Sequence, residues 1–309
     1  MAPSFRQIRS FVAVFEEGSF TAAAAREAAT QSGISQHVKA LEDTIGAVLF
    51  NREGRSVTAT PAAKRYYAEC TAAMRKLESA AREVREAPEA AAELKVGLMP
   101  TFTRVMLAPA LRRFMQEMPE AQVRVIEAYS GVLTEQVRRG ELDFAIVPAF
   151  QGGVGLTATL LLRDREMLVA AHGRTGESLA PVRLAAMEPL RIVLPGLQNT
   201  RRQTIENYFA ANGVEVRQRL ELDAMMGTLE FVAASEWVAI LPSVMLIGDL
   251  DGQRFEIRPL ADPPLYSDFV LIEAARRALS PAARLFADLM GEEARKTVEL
   301  RRARLGADD

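Results

Sequence analysis

The sequence predicts a multidomain fold in which a small, all-α unit precedes a larger α/β region. Three observations support this prediction. Apolar residues recur at helical spacing through much of residues 1–60, a heptad pattern follows them, and from about residue 94 short apolar segments alternate with amphipathic ones. A chain of 309 residues is long enough for two or three domains.

The first two helices are marked by their spacing and their boundary residues. Apolar side chains lie at helical spacing from Phe5 to Phe15, and Gly18 is a natural stop. An alanine-rich second helix begins near Ser19 or Thr21, since either side chain can cap it. We therefore expect two adjacent helices within the first 30 residues.

A third helix and a short hairpin complete this unit. The helix is predicted to run from about Gln31 to about Ile45, after a turn at Ala29-Thr30-Gln31. The hairpin spans Leu49–Thr58 and turns at Glu53-Gly54. One face of the third helix forms a buried stripe. The stripe consists of Ile34, Val38, Leu41 and Ile45.

A long helix follows, with Thr60 as its N-cap and Pro61 at its first position. Its apolar residues step by four and three for about three heptads, which favours pairing with another helix. The seam residues are Ala63, Tyr67, Cys70, Met74, Leu77, Ala81 and Val84. The alternative is a helix that lies on its own domain. Pro88 and the Glu-Ala-rich stretch to Glu93 indicate a linker.

Residues 94–299 read as alternating strands and helices, which indicates an α/β architecture with mainly parallel strands. The predicted strands are Leu94–Met99, Val123–Tyr129, Leu142–Val147, Met167–Ala171, Arg191–Leu194, Val216–Leu222, Val238–Leu241 and Phe269–Glu273. The predicted helices cover about 104–118, 131–139, 200–211, 224–234 and 280–298.

Composition and net charge do not indicate a particular class of binding partner. Apolar residues make up 49% of the chain, charged residues 25%, and the net charge is -2, which is ordinary for a soluble globular protein. The single cysteine, Cys70, forms no internal disulfide and suits a reducing compartment. Neither a signal peptide nor an apolar run of about 18 residues is visible. We expect a soluble, cytoplasmic protein without a membrane partner.

The third helix carries a polar arc beside its buried stripe. The arc consists of Gln31, Ser32, Ser35, Gln36 and Lys39. Glutamine pairs bidentately with adenine, serine contacts either base type, and lysine reaches guanine or a phosphate. Together with the helix-turn-helix pattern, the arc predicts binding to double-stranded DNA. The alternative is the solvated face of a helix in a metabolic enzyme.

Arg52 and Arg55 flank the predicted hairpin turn, where they can grip phosphates in a neighbouring groove. Plain surface charge is the alternative for both. Residues 1–60 carry no surplus positive charge, because basic and acidic groups are equal in number. The DNA affinity of one copy should therefore be modest and salt-sensitive, and binding should depend on several copies acting together.

Three segments of the first 60 residues resemble the LysR-type transcriptional regulators. The segments are FRQIRSFVAVFEEGSFTAAA (5–24), QSGISQHVKALE (31–42) and LFNR (49–52). The match is dense over residues 5–60 and looser to about 290. This chain departs from many members at Ser32, where they have proline, and at Gln36, where they have arginine. Thr60-Pro-Ala-Ala also replaces their Thr-Glu-Ala-Gly. These departures change the expected base preference but not the expected DNA binding.

The resemblance implies a winged helix-turn-helix domain over 1–60, a linker and dimerisation helix with a hinge over 61–93, and an effector-binding domain over 94–309. That last domain would resemble two-lobed periplasmic binding proteins, with lobe I at about 94–163 and 268–300 and lobe II at about 164–267. Members usually assemble as tetramers built from two kinds of dimer. The expected partners are promoter DNA, a small-molecule effector, further copies of the chain as homodimer or homotetramer, and RNA polymerase.

Carried over by position, Gln31, Ser32, Ser35 and Gln36 would face bases, with Lys39, Arg52 and Arg55 near the DNA backbone. The expected dimerisation residues are Tyr67, Cys70, Met74, Leu77, Ala81 and Val84. Effector binding would then modulate the binding or bending of DNA.

An effector site is expected where strands lead into helix N-termini. Hydroxyls and free N–H groups meet at such termini in Pro100-Thr101-Phe102-Thr103 and in the segment from Gly196 to Arg202. Such a site favours a carboxylate or another anion. Helix capping is the alternative for the hydroxyls, and packed core for the apolar candidates. The expected effector-binding residues are Thr101, Phe102, Thr103, Phe150, Asn199, Thr200, Arg201 and Met226.

The sequence does not indicate an enzyme. His37 and His172 lack the neighbours of a nucleophile–base pair, and Cys70 lies on the seam. No metal-ligand cluster or phosphate-binding loop is present, so no metal or cofactor is expected, and Gly152-Gly-Val-Gly155 reads as a flexible loop. The competing class is a solute receptor fused to an interaction domain, which the missing secretion signal disfavours.

Overall fold

The computed structural model describes residues 2–53, 56–85, 93–150, 153–197 and 199–305. The chain divides into two compact units. The first comprises Met1–Glu89, Val154–Leu156 and Ala275–Ala278, and the second comprises the rest of the chain.

The first unit begins with helices α1 (Phe5–Glu17), α2 (Phe20–Arg26) and α3 (Gln31–Ile45). Each helix starts at a hydroxyl-bearing N-cap, because Ser4, Ser19 and Thr30 accept a hydrogen bond from the first turn. Gly18 and Gly46 end α1 and α3 at φ of 60° and 72°, in the left-handed region that favours glycine. These boundaries follow directly from the sequence.

The turn between α2 and α3 lies earlier than the sequence predicts. It covers residues 27–30, since α2 ends at Arg26 and Gln31 is already helical. Ala28 adopts a φ of 49° within this turn. A left-handed alanine costs roughly 1–2 kcal/mol, so the packing of α2 against α3 holds the turn against local strain.

The hairpin and the long helix follow as predicted. Strands β1 (Phe50–Glu53) and β2 (Ser56–Ala59) pair antiparallel, and the turn residues between them lie outside the described ranges. Helix α4 (Pro61–Arg85) starts after Thr60. The Thr60 Oγ1 atom accepts from the N–H of Ala63 at 3.1 Å and donates to the carbonyl of Val48 at 3.0 Å. This single side chain caps α4 and ties it to the hairpin.

An aromatic cluster centred on Phe11 holds the first unit together. The Phe11 ring centroid lies 5.6 Å from that of Phe50 on the hairpin and 5.4 Å from that of Tyr66 on α4. Tyr67 stacks on Phe15 at 4.1 Å. Such pairs contribute about 0.5–1.5 kcal/mol each beyond simple burial. The hairpin and the start of α4 are therefore fixed to the helices.

The second unit is built on a sheet of strands β3 to β11. Their bounds are β3 Glu93–Leu98, β4 Gln122–Glu127, β5 Phe144–Pro148, β6 Leu156–Ala171, β7 Leu190–Leu194, β8 Val216–Glu221, β9 Val238–Pro242, β10 Phe255–Pro259 and β11 Tyr266–Ala274. Hydrogen-bonded neighbours run in the order β4-β3-β5-β11-β6-β9-β7-β8, and β10 pairs with β6.

Helices cover this sheet. They are α5 (Pro100–Phe102), α6 (Ala108–Glu117), α7 (Ser130–Arg139), α8 (Thr200–Asn212), α9 (Met225–Ala233) and α10 (Pro281–Leu305). A π-helical turn, Thr103–Leu107, joins α5 to α6, and short 3-10 helices cover Leu184–Ala186 and Ser243–Asp249.

The sheet forms two lobes joined by β6 and β11. Lobe I contains β3, β4, β5 and β11 with α5, α6, α7 and α10. Lobe II contains the C-terminal part of β6, which pairs with β9 and β10, together with β7 to β10, α8 and α9. Within the described residues, no helix is both long enough and apolar enough to cross a membrane.

The strand directions are more mixed than the sequence predicts. Strand β3 runs parallel to β4 and β5, and β7 runs parallel to β8 and β9. In contrast, β11 is antiparallel to β5, and β6 is antiparallel to β9 and β10. Strand β10 and the first eleven residues of β6 were not predicted. The β6 segment mixes arginine and aspartate with leucine, so it shows no apolar run.

Successive residues of strands β6 and β7 pack into two different apolar clusters of lobe II. Leu168 and Ile192 pack into one cluster, while Met167 and Val193 pack into another. Successive side chains of a strand point to opposite faces of the sheet. Both faces of the lobe II sheet are therefore covered by apolar side chains.

Candidate nucleic-acid interface and effector cleft

Helix α3 is fixed in place by its apolar stripe. Ile34, Val38 and Leu41 are buried in the core of the first unit, whereas Ile45 is 36% exposed at the end of the helix. The Nδ1 atom of His37 lies 2.9 Å from the Ser10 hydroxyl of α1. These contacts set the rotation of α3 about its axis, and they decide which side chains face outward.

The polar arc faces outward as the sequence predicts. Gln31, Ser32, Gln36 and Lys39 are exposed, and Ser35 is half-buried. The exposed side chains are neutral apart from Lys39, and the arc starts at the helix N-terminus. The positive end of the helix dipole therefore reinforces attraction for a phosphate or a base acceptor.

The two ends of α3 are anchored differently. At its N-terminus, Thr30 Oγ1 accepts from the N–H of Gly33 at 3.1 Å and lies 3.2 Å from the Ser32 hydroxyl. Near the other end, Glu42 Oε1 accepts from the N–H groups of Leu49 and Phe50 at 2.7 and 3.2 Å. Glu42 therefore links the helix to the hairpin, a role its sequence position does not reveal.

The acids of the first unit are partly neutralised away from the arc. Arg9 pairs with Glu27 at 2.6 Å, and Arg26 pairs with Glu17 at 2.8 Å and also with Glu16. These pairs involve α1 and α2 and the turn after α2, and none of them involves a residue of the arc. Arg52 lies in β1, but its side chain and all of Arg55 fall outside the described residues.

The seam of α4 divides into two parts. Ala63 and Cys70 are buried in the core of the first unit, and Tyr67 and Met74 pack against that core. Leu77 is 58% exposed and Ala81 is exposed as well. Val84 lies on the helix, and its side chain is outside the described set. The first part of the seam thus lies on its own domain, and the second part faces outward.

Burial also controls the chemistry of the seam. It raises the pKa of the Cys70 thiol to about 11, and it raises the pKa of the neighbouring Tyr66 hydroxyl to about 12. The only thiol of the chain is therefore protonated and poorly nucleophilic near neutral pH.

In the second unit, a small cleft lies between the two lobes. Thr101 and Tyr129 line it from lobe I, and Asn199, Arg201 and Met225 line it from lobe II. Its volume is about 20 Å³, which is room for about one water molecule. The lobes therefore lie close together along this line.

Arg201 reaches the cleft, but its charge is matched by a buried acid. Its Nε donates to Glu166 Oε1 at 3.0 Å and its Nη2 donates to Glu166 Oε2 at 2.6 Å. Nη2 also donates to the carbonyl of Ile240 at 3.1 Å. Both side chains are 3% exposed or less. Arg201 lines the cleft, and Glu166 lies too far along the chain to be foreseen as its partner.

A second buried ion pair lies beside the first. Asp164 Oδ1 accepts from Arg301 of α10 at 2.7 Å and from the Ser243 hydroxyl at 2.6 Å, and Oδ2 accepts from the N–H of Val244 at 2.9 Å. Asp164 and Glu166 are two positions apart on β6, so they point to the same face of the strand. The strand that joins the lobes therefore carries two carboxylates, each held by an arginine from a different helix.

Two hydroxyl groups that lack a hydrogen bond belong to residues next in sequence to the cleft residues Tyr129 and Asn199. Ser130 Oγ at the start of α7 and Thr200 Oγ1 at the start of α8 are buried and bond to nothing in the described part of the chain. No side chain of the described residues caps α7, which begins after Tyr129. Burial, followed by the negative charges of Asp223 and Glu127, raises the pKa of Tyr129 to about 12. The site thus offers neutral hydroxyl donors at a helix N-terminus.

The other predicted effector residues are scattered. Phe102 is buried and packs edge-on against Phe269 at 5.1 Å, which places it in the core of lobe I. Thr103 Oγ1 donates to the carbonyl of Pro100 at 3.2 Å and contacts Glu127. Phe150 is half-buried, and Met226 is 65% exposed.

Sequence reasoning overlooked several residues of the cleft wall. Tyr129, Met225 and Thr228 line it, although none of them stood out in the sequence. Met225 and Met226 are adjacent, and only the rotation of α9 decides which one faces the cleft. Tyr129 was read as the last residue of a strand, but it precedes α7. The junction between a strand and an uncapped helix was the signal that could have found it.

Gly196 joins the two loops at the lobe II side of the cleft. Its N–H donates to Asp223 Oδ1 at 2.8 Å. A Cβ atom at this position would lie 2.3 Å from Asp223 Oδ2, so the Asp223 carboxylate would have to move to admit a side chain.

The chain is similar to curated regulators over nearly its whole length. It is 29% identical over 93% of its residues to a probable nitrogen assimilation transcriptional activator of Synechococcus elongatus, covering 94% of that protein. It is 26% identical, with the same coverage of both chains, to the nitrogen assimilation regulatory protein nac of Escherichia coli.

Solved structures share the fold. A Corynebacterium glutamicum OxyR mutant bound to H2O2 superposes with a TM-score of 0.58 at 20% identity, covering 98% of each chain. Full-length CbnR in complex with its target DNA gives a TM-score of 0.53 at 21% identity, covering 94% of this chain and 99% of that one.

Family models account for both units. Residues 5–64 match the bacterial regulatory helix-turn-helix protein model of the lysR family, and residues 87–295 match the LysR substrate binding domain. The second match alone spans more than half of the chain. It agrees with the two-lobed sheet, and the first agrees with α1 to α3, the hairpin and the start of α4. The chain therefore belongs to the LysR family, as a DNA-binding transcriptional regulator with an effector-binding domain.

Proposed function

We propose that the outward arc of α3 reads operator DNA in the major groove. Gln31, Ser32, Ser35 and Gln36 would contact bases, and Lys39 would contact the backbone together with Arg52 and Arg55 of the hairpin. The observation that carries this proposal is the orientation of α3, whose apolar stripe is buried while the arc is turned to solvent. A helix presented in this way fits the major groove.

The test is fluorescence anisotropy with the chain's own upstream region. The double substitution Gln31→Ala and Ser35→Ala should weaken specific binding by at least tenfold, since a good base contact is worth about 1–3 kcal/mol. Thr44→Ala is the matched control, because Thr44 is exposed on the same helix and its hydroxyl donates to the carbonyl of Ala40 at 2.7 Å. Unchanged specific binding in the double variant would refute the assigned face.

We further propose that a small organic anion, with a carboxylate as the first choice, is the effector and binds in the cleft. Its support is the uncapped start of α7 beside the buried hydroxyls of Ser130 and Thr200. N–H groups at a helix N-terminus and neutral hydroxyls are suitable donors to a carboxylate. Thr101 and Tyr129 line the same cavity. Arg201 would hold the cleft wall in place and would not pair with the ligand, because Glu166 already neutralises the charge of Arg201.

A cavity of about 20 Å³ is too small for an organic molecule, since such sites measure about 300–1,000 Å³. The lobes must therefore separate when the effector binds. A ligand that favours one lobe arrangement shifts the population toward it. In our proposal this motion changes how the DNA-reading units are spaced in a homodimer or homotetramer, with the outward part of the α4 seam, from Leu77 onward, as a pairing surface.

The proposed site of action is the bacterial cytoplasm, on promoter DNA, with RNA polymerase as the protein partner. The protein would act by binding and not by catalysis, in keeping with curated relatives that are named as regulators.

Thermal-shift screening of small carboxylates tests the effector proposal. A true effector should raise the melting temperature, and Thr200→Val should reduce that rise without changing the melting temperature of the unliganded protein. Thr204→Val is the control, because Thr204 lies one turn further along α8 and is exposed. Equal responses in the two variants would argue against the cleft. Small-angle scattering with and without the active compound should then reveal the change in spacing.

A further inference from the structure

A large cavity in lobe II lies away from the cleft and has no part in the function proposed above. Its volume is about 600 Å³, which is within the range of small-molecule sites. We call it the arginine pocket. Its arginines are Arg174, Arg183, Arg191, Arg217 and Arg258, its acids are Glu188 and Glu236, and its aromatic residue is Trp237.

The arginine pocket and the cleft lie at opposite ends of the strands of the lobe II sheet. The pocket is lined by Leu190 and Arg191 where β7 begins and by Val238 where β9 begins. The cleft is lined by Leu194 and Leu241, where these parallel strands end. Five-residue strands separate the two sites by about 15 Å. A ligand in the pocket would therefore not overlap with an effector in the cleft.

The lining carries more positive charge than its acids can balance. Five arginines face two glutamates, which leaves a formal excess of three positive charges in a chain whose net charge is -2. Glu236 pairs with Arg191 and lies 3.8 Å from Arg174. The side chains of Arg183 and Arg217 have no hydrogen bond or ion pair with any described residue. Such a concentration of like charge favours a polyanion.

Arg258 is built into the wall. Its guanidinium donates to the carbonyls of Thr175, Ala180 and Pro181 at 2.5, 3.0 and 3.1 Å. These bonds fix the loop that forms one side of the pocket and leave the positive charge of Arg258 without an acidic partner among them. The pocket is thus preformed on this side.

Trp237 adds an aromatic surface to the same cavity. Its ring is half-buried and packs against Phe231 at 5.9 Å, while the residue lines the pocket. Indole faces stack with flat heterocycles, and guanidinium groups bind phosphate oxygens bidentately. A carboxylate carries one negative charge, whereas a diphosphate carries two or three and matches the excess of three more closely. We propose that the arginine pocket binds a nucleoside diphosphate, with phosphates at Arg183 and Arg217 and the base at Trp237.

The chain itself provides the reporter, because Trp237 is its only tryptophan. The intact protein is titrated with adenosine, guanosine, uridine and cytidine diphosphates at physiological ionic strength, and tryptophan emission is recorded. We expect a saturable change with at least one of them, and binding at least tenfold weaker for the matching nucleoside and for inorganic phosphate. A DNA oligonucleotide serves as the separate source of phosphate.

Two double variants, each of which removes two positive charges, test whether the arginine pocket is the binding site. Arg183→Ala with Arg217→Ala should weaken binding about tenfold or more, since hydrogen bonds to charged groups are lost. Arg112→Ala with Arg124→Ala is the control, because both residues are exposed on lobe I. Because all four side chains are exposed, thermal unfolding should change little.

Three results would overturn the proposal. They are no saturable response to any of the nucleotides, equal binding by the two double variants, or a response to the oligonucleotide alone. None of them bears on α3 or the cleft, so failure here is distinguishable from failure of the proposed function. The double variant Gln31→Ala and Ser35→Ala should bind the nucleotide as the wild type does.

Discussion

Replacing Arg201 by methionine separates a structural role from an effector-binding role. Arg201 and Glu166 are 3% and 1% exposed, and two N–H···O bonds of 3.0 and 2.6 Å join them. Methionine is close to arginine in length but has no charge. In the variant, Glu166 keeps the Ser267 hydroxyl, which donates to Oε1 at 2.6 Å. A buried carboxylate would then have lost its countercharge.

Removing one partner of a buried ion pair costs about 3–5 kcal/mol of unfolding free energy. In a domain of this size, 1 kcal/mol moves the melting temperature by about 2–4 °C. We therefore expect a loss of roughly 6–20 °C, measured by calorimetry and checked by urea unfolding. Arg202→Met is the neighbouring control. Arg202 is 12% exposed, pairs with the partly exposed Glu206 at 3.0 Å and donates to the carbonyl of Pro195 at 3.0 Å, so its replacement should cost about 1–2 kcal/mol, less than that of Arg201.

The double variant Arg201→Met with Glu166→Leu should recover most of the loss, because an apolar pair of similar volume can replace a buried ion pair. A single variant that is less than about 1 kcal/mol below the wild type would refute this reasoning. So would a variant of normal stability that no longer responds to the effector. That result would make Arg201 a ligand-binding group, as the sequence alone indicates.

Further predictions concern the first unit. Cys70 should resist thiol reagents near neutral pH and react only as the protein unfolds, because burial raises its pKa to about 11; rapid labelling of the folded protein would contradict this. Glu42→Ala should cost about 1–3 kcal/mol, because the N–H groups of Leu49 and Phe50 lose their acceptor. Faster amide exchange at these two residues in the variant would report that loss. Ala28→Gly should stabilise the unit by about 1 kcal/mol by relieving a left-handed φ, and a lower melting temperature would argue against strain at that turn.

Much of the fold could be predicted because its signals are local. N-caps such as Ser19 and Thr60, and C-terminal glycines such as Gly18, act within one turn of their own helix. The outward arc of α3 also follows from spacing, because a buried stripe at every third or fourth residue fixes the opposite face. These features require no knowledge of distant contacts.

The cleft was harder to predict because its properties depend on long-range pairs. Glu166 is 35 residues from Arg201, and Asp164 is 137 residues from Arg301. Only the folded chain shows that these charges cancel. The choice between Met225 and Met226 likewise depends on how α9 rotates against the sheet, and both residues are apolar. Strand β10 was missed because its sequence FEIRP is short and carries two charges.

The two carboxylates of β6 also constrain how this protein can diverge. Asp164 and Glu166 share one face of a strand that joins the lobes, and each is matched by an arginine from a different helix. A change in either partner alone leaves a buried charge unmatched, so the members of each pair should be replaced together. Insertion of one residue between them would turn Glu166 to the opposite face. Among descendants of this sequence, positions 166 and 201 should therefore covary, and β6 should keep its length even where the loops around it do not.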